Sequence, residues 1–110
     1  MVLQLKSRHW KILQQILSKY PYQFYAYGSR VKGAIHRTSD LDLCYQENIP
    51  DSLVFEIKDE FTESNLPFIV ELVNWKHMRP AFQKAIQKDL VLISSPSLTK
   101  KEKQPTLKSP

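Results

Sequence analysis

Apolar positions near the start of the chain recur at close to helical spacing. Leu3, Leu5, Trp10, Ile12, Leu13, Ile16 and Leu17 fall on one stripe before Pro21, which predicts a helix over residues 6–19. The aromatic run QFYAY at 23–27 reads as a short strand. A turn at 28–33 leads into a second helical segment, and the alternating LDLCYQ at 41–46 reads as another strand. Leu53, Val54, Ile57 and Phe61 form a 3–4 stripe, so residues 51–65 are expected to be an amphipathic helix opened by Pro50-Asp51 and closed near Pro67. FIVELVN at 68–74 is a dense β-branched strand. Ala81, Phe82, Ala85 and Ile86 place a helix over 79–88, and residues 90–93 a last short strand. The alternation of helices and strands predicts an α/β fold, a short mixed sheet with helices packed on one face. No segment repeats.

The chain has 110 residues, 42% of them hydrophobic and 25% charged, which suits one soluble domain. We place that domain at residues 1–95. From Pro96 onward four lysines face one glutamate, and three prolines accompany little that could be buried. Residues 96–110 are therefore expected to be a basic, disordered tail. Most of the net charge of +5 belongs to this tail, so the body is nearly neutral and nucleic acid is not the expected partner. No apolar run reaches the ~18 residues of a membrane span, and MVLQLKSRHWK has its apolar residues and its charges in the wrong order for a secretory signal. A single cysteine, Cys44, excludes an internal disulfide framework and a cysteine-based metal cluster. The expected compartment is the cytoplasm.

The candidate chemistry begins at the chain's two glycines, Gly28 and Gly33. Tyr27-Gly28-Ser29-Arg30-Val31-Lys32-Gly33 follows one predicted strand and opens a predicted helix. Glycine before a helix N-terminus lets backbone N–H groups approach a phosphate, and the helix dipole favours the anion. Ser29 is placed to cap the helix or donate to a phosphate oxygen, and Arg30 adds positive charge. Alone, the stretch reads equally well as a tight turn with an ordinary cap. Next comes Ser39-Asp40-Leu41-Asp42-Leu43. Residues i and i+2 of a strand share a face, so Asp40 and Asp42 project together while Leu41 and Leu43 enter the core. Two carboxylates ~6–7 Å apart along a strand repel each other unless a cation lies between them, and Mg²⁺ suits hard oxygen donors. An exposed, polar-faced edge strand is the competing reading. Glu71 is the third acid, set inside the most hydrophobic strand, where a carboxylate is costly unless paired, metal-bound or solvated. If that strand lies beside 40–43, Glu71 completes a three-carboxylate cluster. Otherwise it faces water or pairs with a base such as Arg30.

Other residues carry less. His9, His36 and His77 have no metal-ligand spacing; His36 reads first as a solvated loop histidine, with contact to a phosphate the lesser reading. Cys44 reads as a small buried residue, Trp10 and Trp75 as core or interface anchors, and the aromatics from Tyr20 to Tyr27 as strand packing.

Together these pieces resemble the nucleotidyltransferase superfamily that includes DNA polymerase beta. The form GSRxxG…SDLDL is most similar to the minimal nucleotidyltransferase (MNT) group, small domains paired with HEPN-domain proteins in prokaryotic toxin–antitoxin modules. The resemblance runs from about residue 6 to residue 93 and implies a polymerase beta-like nucleotidyltransferase fold. It also implies two Mg²⁺ ions on Asp40, Asp42 and the third acid, and nucleotide binding by Gly28, Ser29, Arg30, Gly33 and Ser39. The implied reaction moves AMP from ATP onto a hydroxyl, a tyrosine of a HEPN-type toxin, with this chain as antitoxin and a homo-oligomer possible. The MNT pattern has Asp as the third acid, whereas this chain has Glu71. The longer side chain implies a general base, as in the similar aminoglycoside nucleotidyltransferases, or a weakened site. An antitoxin that silences its partner by contact alone is thus the main alternative. Transfer to a small molecule such as an aminoglycoside is a third.

Overall fold

The computed structural model describes residues 5–28 and 40–96. Helix α1 spans Ser7–Leu17 and strand β1 Phe24–Tyr27, followed by β2 at Leu41–Tyr45 and helix α2 at Asp51–Thr62. Strand β3 at Val70–Asn74 runs into a 3₁₀ turn, Trp75–His77, then the short helix α3 at Pro80–Ile86, a second 3₁₀ turn at Gln87–Asp89 and β4 at Val91–Ser94. Within this frame the expected elements are present, with ends that differ by at most three residues. The helical segment expected after Gly33 lies outside the described residues, as does almost all of the tail. The 3₁₀ turn at Trp75–His77 carried no apolar period to announce it. Phe68 and Ile69 precede β3 instead of beginning it.

The four strands lie in the order β3-β2-β1-β4. Strand β1 pairs antiparallel with both β2 and β4, while β2 pairs parallel with β3. A parallel pair needs a crossover long enough to return the chain, and α2 supplies it. Strand β2 is therefore interior, not the exposed edge strand that residues 39–42 also allowed.

Alternation along each strand sorts the two faces of the sheet. Phe24 and Ala26, Leu41 and Leu43, Leu72 and Ile93 point to one side, where Leu13, Ile16 and Leu17 of α1 and Val54, Ile57 and Phe61 of α2 close the main core. Gln14 Nε2 donates to the Ile93 carbonyl at 2.8 Å, tying α1 to β4. Lys19 pairs with Glu60, and the Tyr20 hydroxyl donates to Glu56 and Glu60, so the end of α1 is pinned to α2. These packed helices on one face are the expected architecture. A smaller cluster sits on the other face, where Ile86 of α3 meets Tyr27 and Cys44, with Tyr25, Trp75, Met78 and Leu90 packed around them. Pro80 takes the first position of α3, where its missing N–H costs nothing.

Candidate functional site

The second face of the sheet carries the acids. Asp42 is the second residue of β2, half-buried between Leu41 and Leu43, both fully buried. The parallel ladder sets Asp42 opposite Glu71, and the antiparallel ladder sets it opposite Tyr27. Paired residues in a sheet project to the same side, so Tyr27, Asp42 and Glu71 form one row across three strands. Asp40 is exposed and stands two residues earlier, just before β2. The Leu41 N–H donates to the Ile69 carbonyl at 2.9 Å, which fixes the entry of β2 against the segment leading into β3. The condition is met, since the strand bearing Glu71 lies beside β2 with Glu71 opposite Asp42, but the three carboxylates do not close into one metal-holding group.

The electrostatics record this gathering. Burial, and then the charges of Asp40 and Glu71, raise the Asp42 carboxyl above its usual range. Tyr27 is pushed up to about 12, by burial first and then by the charge of Asp42, with smaller contributions from Cys44 and Glu71. Cys44, also pushed up to about 12 by burial, is the small buried residue it was read to be. Glu71 itself is exposed. Strand β3 is the outer strand on its side of the sheet; Val70 and Leu72 face the main core, while Val73, opposite Cys44, shares the face of Glu71.

Gly28 closes β1 directly beside Asp42. Its φ of 87° lies in the left-handed region, which a residue with a Cβ enters only at a cost. A Cβ built there would overlap Asp42 Oδ2 and crowd Asp42 Cγ at 3.3 Å. The glycine is thus required twice, by its backbone and by the carboxylate against it. Of the remaining candidates, Ser29, Arg30, Gly33 and Ser39 lie outside the described residues, as does His36.

No group of three His, Cys, Asp or Glu side chains among the described residues is close enough to hold a metal ion. Asp40 and Asp42 nonetheless fit one divalent cation. Mg²⁺ is commonly held by one or two carboxylates plus substrate phosphates rather than by a full protein cage, and two hard carboxylate donors two residues apart at the start of β2 suit that arrangement. Sequence reasoning missed the aromatic wall of this site. Tyr27 and Phe82 meet edge to face, with ring centroids 6.0 Å apart. The strand alternation could have placed Tyr27 beside Asp42, but the period of α3 does not reveal which face of the sheet that helix covers.

The profile of the family Polymerase beta, Nucleotidyltransferase matches residues 11–98. A relative from Haemophilus influenzae, described as probable protein adenylyltransferase MntA, is 36% identical over 112 residues, covering 98% of this chain and 92% of its own length. Among solved structures, one described as a toxin-antitoxin with AMP-PNP superposes with a TM-score of 0.60 at 17% identity, covering 82% of this chain and 79% of the other. The last is a likeness of fold. No helix among the described residues is long and apolar enough to cross a membrane.

Proposed function

The chain belongs to the polymerase beta nucleotidyltransferase family, in its minimal, MntA-like form, and from that premise we propose that it transfers AMP from ATP to a protein hydroxyl and acts as an antitoxin. The observation that carries the reading is the register of β1, β2 and β3. It lines up Tyr27, Asp42 and Glu71 across three strands, with Asp40 two residues before Asp42 and Gly28 against the Asp42 carboxylate.

Asp40 and Asp42 would hold Mg²⁺, which, when bound, supplies charge neutralisation for the triphosphate and acidifies the attacking hydroxyl. The residues of the chain divide the remaining work. Gly28 lets the backbone pass against the Asp42 carboxylate, and Ser29, Arg30, Gly33 and Ser39 are assigned to the phosphates. Glu71, exposed and opposite Asp42, is the base that accepts the hydroxyl proton as the oxygen bonds to the α-phosphorus and pyrophosphate departs. A protein acceptor is supported by the relative's description as a probable protein adenylyltransferase, and a toxin by the fold shared with a toxin-antitoxin structure; the tyrosine and the HEPN type are carried by the resemblance of GSRxxG…SDLDL alone.

The test is incorporation of labelled AMP into the purified toxin partner with Mg²⁺-ATP. Asp42→Asn should remove transfer by several orders of magnitude while the fold persists. Glu71→Gln should abolish transfer yet keep most nucleotide affinity. One observation favours a second reading, an antitoxin acting by contact alone: the third acid is a glutamate, and the acids do not close into a three-ligand cage. Stoichiometric silencing of the partner without incorporation at saturating Mg²⁺-ATP would establish that reading and overturn the first.

A further inference from the structure

The stretch from Trp75 to Asp89 lies against the acid-bearing face of the sheet through Ile86, Trp75 and Met78. Its outer side is the notable part. Ala81, Phe82 and Ala85 are exposed and, with Arg79, line a shallow hollow along α3. Phe82 keeps 44% of its surface open although its ring meets Tyr27. On the same side of the sheet Leu92 of β4, in register with Tyr25, is 40% exposed. Around this strip Lys76, His77, Arg79, Lys84 and Lys88 are all exposed, while the only acid of the stretch, Asp89, is half-buried. An apolar centre with a charged rim is the anatomy of a protein–protein contact.

We propose that this strip is the docking surface for the acceptor protein, whose matching face is apolar at its centre and acidic at its rim. The inference rests on the transferase reading above and adds where its acceptor sits. Position and charge both argue for that occupant. Asp42 is in register with Tyr27, and the ring of Tyr27 meets Phe82, so a protein seated on Phe82 lies two side chains from the acids, on their side of the sheet. A second copy of this chain would bring one basic rim against another. The chain's own residues 97–110, with four lysines and one glutamate, carry the same sign. Nucleic acid matches the rim but not the apolar centre, since its interfaces are more polar than those between proteins.

The experiment places a photo-crosslinking benzoylphenylalanine at position 82 of the full chain in its source cells. The same probe at position 55, where the native Phe55 is 74% exposed on α2, serves as the comparison. Position 82 should capture one protein with an acidic surface, and position 55 should not. That protein is then purified and titrated against the chain. Ala85→Glu, and separately Lys84→Glu with Lys88→Glu, should each weaken binding by about tenfold or more, and rising salt should weaken the wild-type complex. Capture of a second copy, of RNA or of nothing overturns the proposal. So does a partner whose affinity ignores both variants, or a matching loss of Mg²⁺-nucleotide affinity, which would make α3 part of the nucleotide site. Labelled-AMP transfer separates the two readings. A partner that binds through this strip but is never labelled keeps the surface and overturns the transferase. A partner labelled with an unchanged KM by the Ala85→Glu variant does the reverse.

Discussion

At Gly28 the missing side chain protects the carboxylate of Asp42. Gly28→Ala meets a left-handed backbone and an overlap with Asp42 Oδ2 together. It should cost about 1–3 kcal/mol and displace Asp42, so nucleotide affinity should fall more steeply than stability; a calorimetric melt beside a nucleotide titration reads both. Asp42→Asn should act in the opposite direction on the nucleotide-free fold. It relieves like charge across the β2–β3 pair, a gain of about 0.2–1 kcal/mol in denaturant unfolding. The pH dependence follows in sign. The carboxyl of Asp42 is raised in the folded state above its ordinary 3.8, so the folded protein binds the proton more tightly than the unfolded chain. Its contribution therefore declines as pH rises above 3.8 through the folded value, and Asp42→Asn should flatten that part of the stability curve. Divalent cations should lift wild-type stability most at the high end of the same window. These acids were legible in the sequence because alternation along LDL sorts carboxylate from core without any knowledge of the partner strand. The exposure of Glu71 is one of two readings the sequence allows: its apolar neighbours lie on both faces of β3, and the sequence cannot say that β3 lies at the rim of the sheet.

At the level of elements, a polar knot adds to the apolar packing of α1 with α2. Hydrogen bonds from Lys19 and then Tyr20 keep the Glu60 carboxyl below its usual range, and burial together with Glu60 and Glu56 raises the Tyr20 hydroxyl. A lowered carboxyl stabilises the fold fully above about pH 4.5 and loses that contribution as pH falls through its folded value. Tyr20→Phe should cost about 1 kcal/mol at neutral pH and shrink the acid-side loss of stability, measurable by urea unfolding between neutral pH and pH 3. On the opposite face α3 lies over Cys44, whose thiol is fully buried and pushed up to about 12. Alkylation at pH 8 should therefore be far slower than for a free thiol and should report the opening of α3 from the sheet. A rate near that of free cysteine would show the cover to be loose. The helical stripes of α1 and α2 were readable because each turns a wide apolar face to one large core. Helix α3, seven residues long, gives too little period to show which side of the sheet it covers, and with it the wall formed by Tyr27 and Phe82 stayed hidden.

For the molecule as a whole, the elements and their order follow from periodicity, but the strand order β3-β2-β1-β4 depends on contacts that no local pattern encodes. The right-handed preference of a strand–helix–strand crossover makes the β2–β3 adjacency a reasonable inference from α2 alone; the place of β4 against β1 has no such warrant. The parallel β2–β3 ladder also has a consequence for how this site can be lost. Glu71 opposes Asp42 only because the connection through α2 and residues 63–69 delivers β3 in one phase. A strand has a side-chain period of two, so that connection works as a parity code. Deleting one residue between Glu63 and Ile69 leaves two escapes: β3 turns over and loses Leu72 from the core, or the loop absorbs the change and the register holds. Deleting two keeps the parity but slides the acid along β2 by ~6.6 Å, away from Asp42 and level with another residue. Chains of this family in which an even loop change has shifted that register should therefore keep their fold yet have lost nucleotidyl transfer, a class of silent loss invisible to any inspection of the acids themselves.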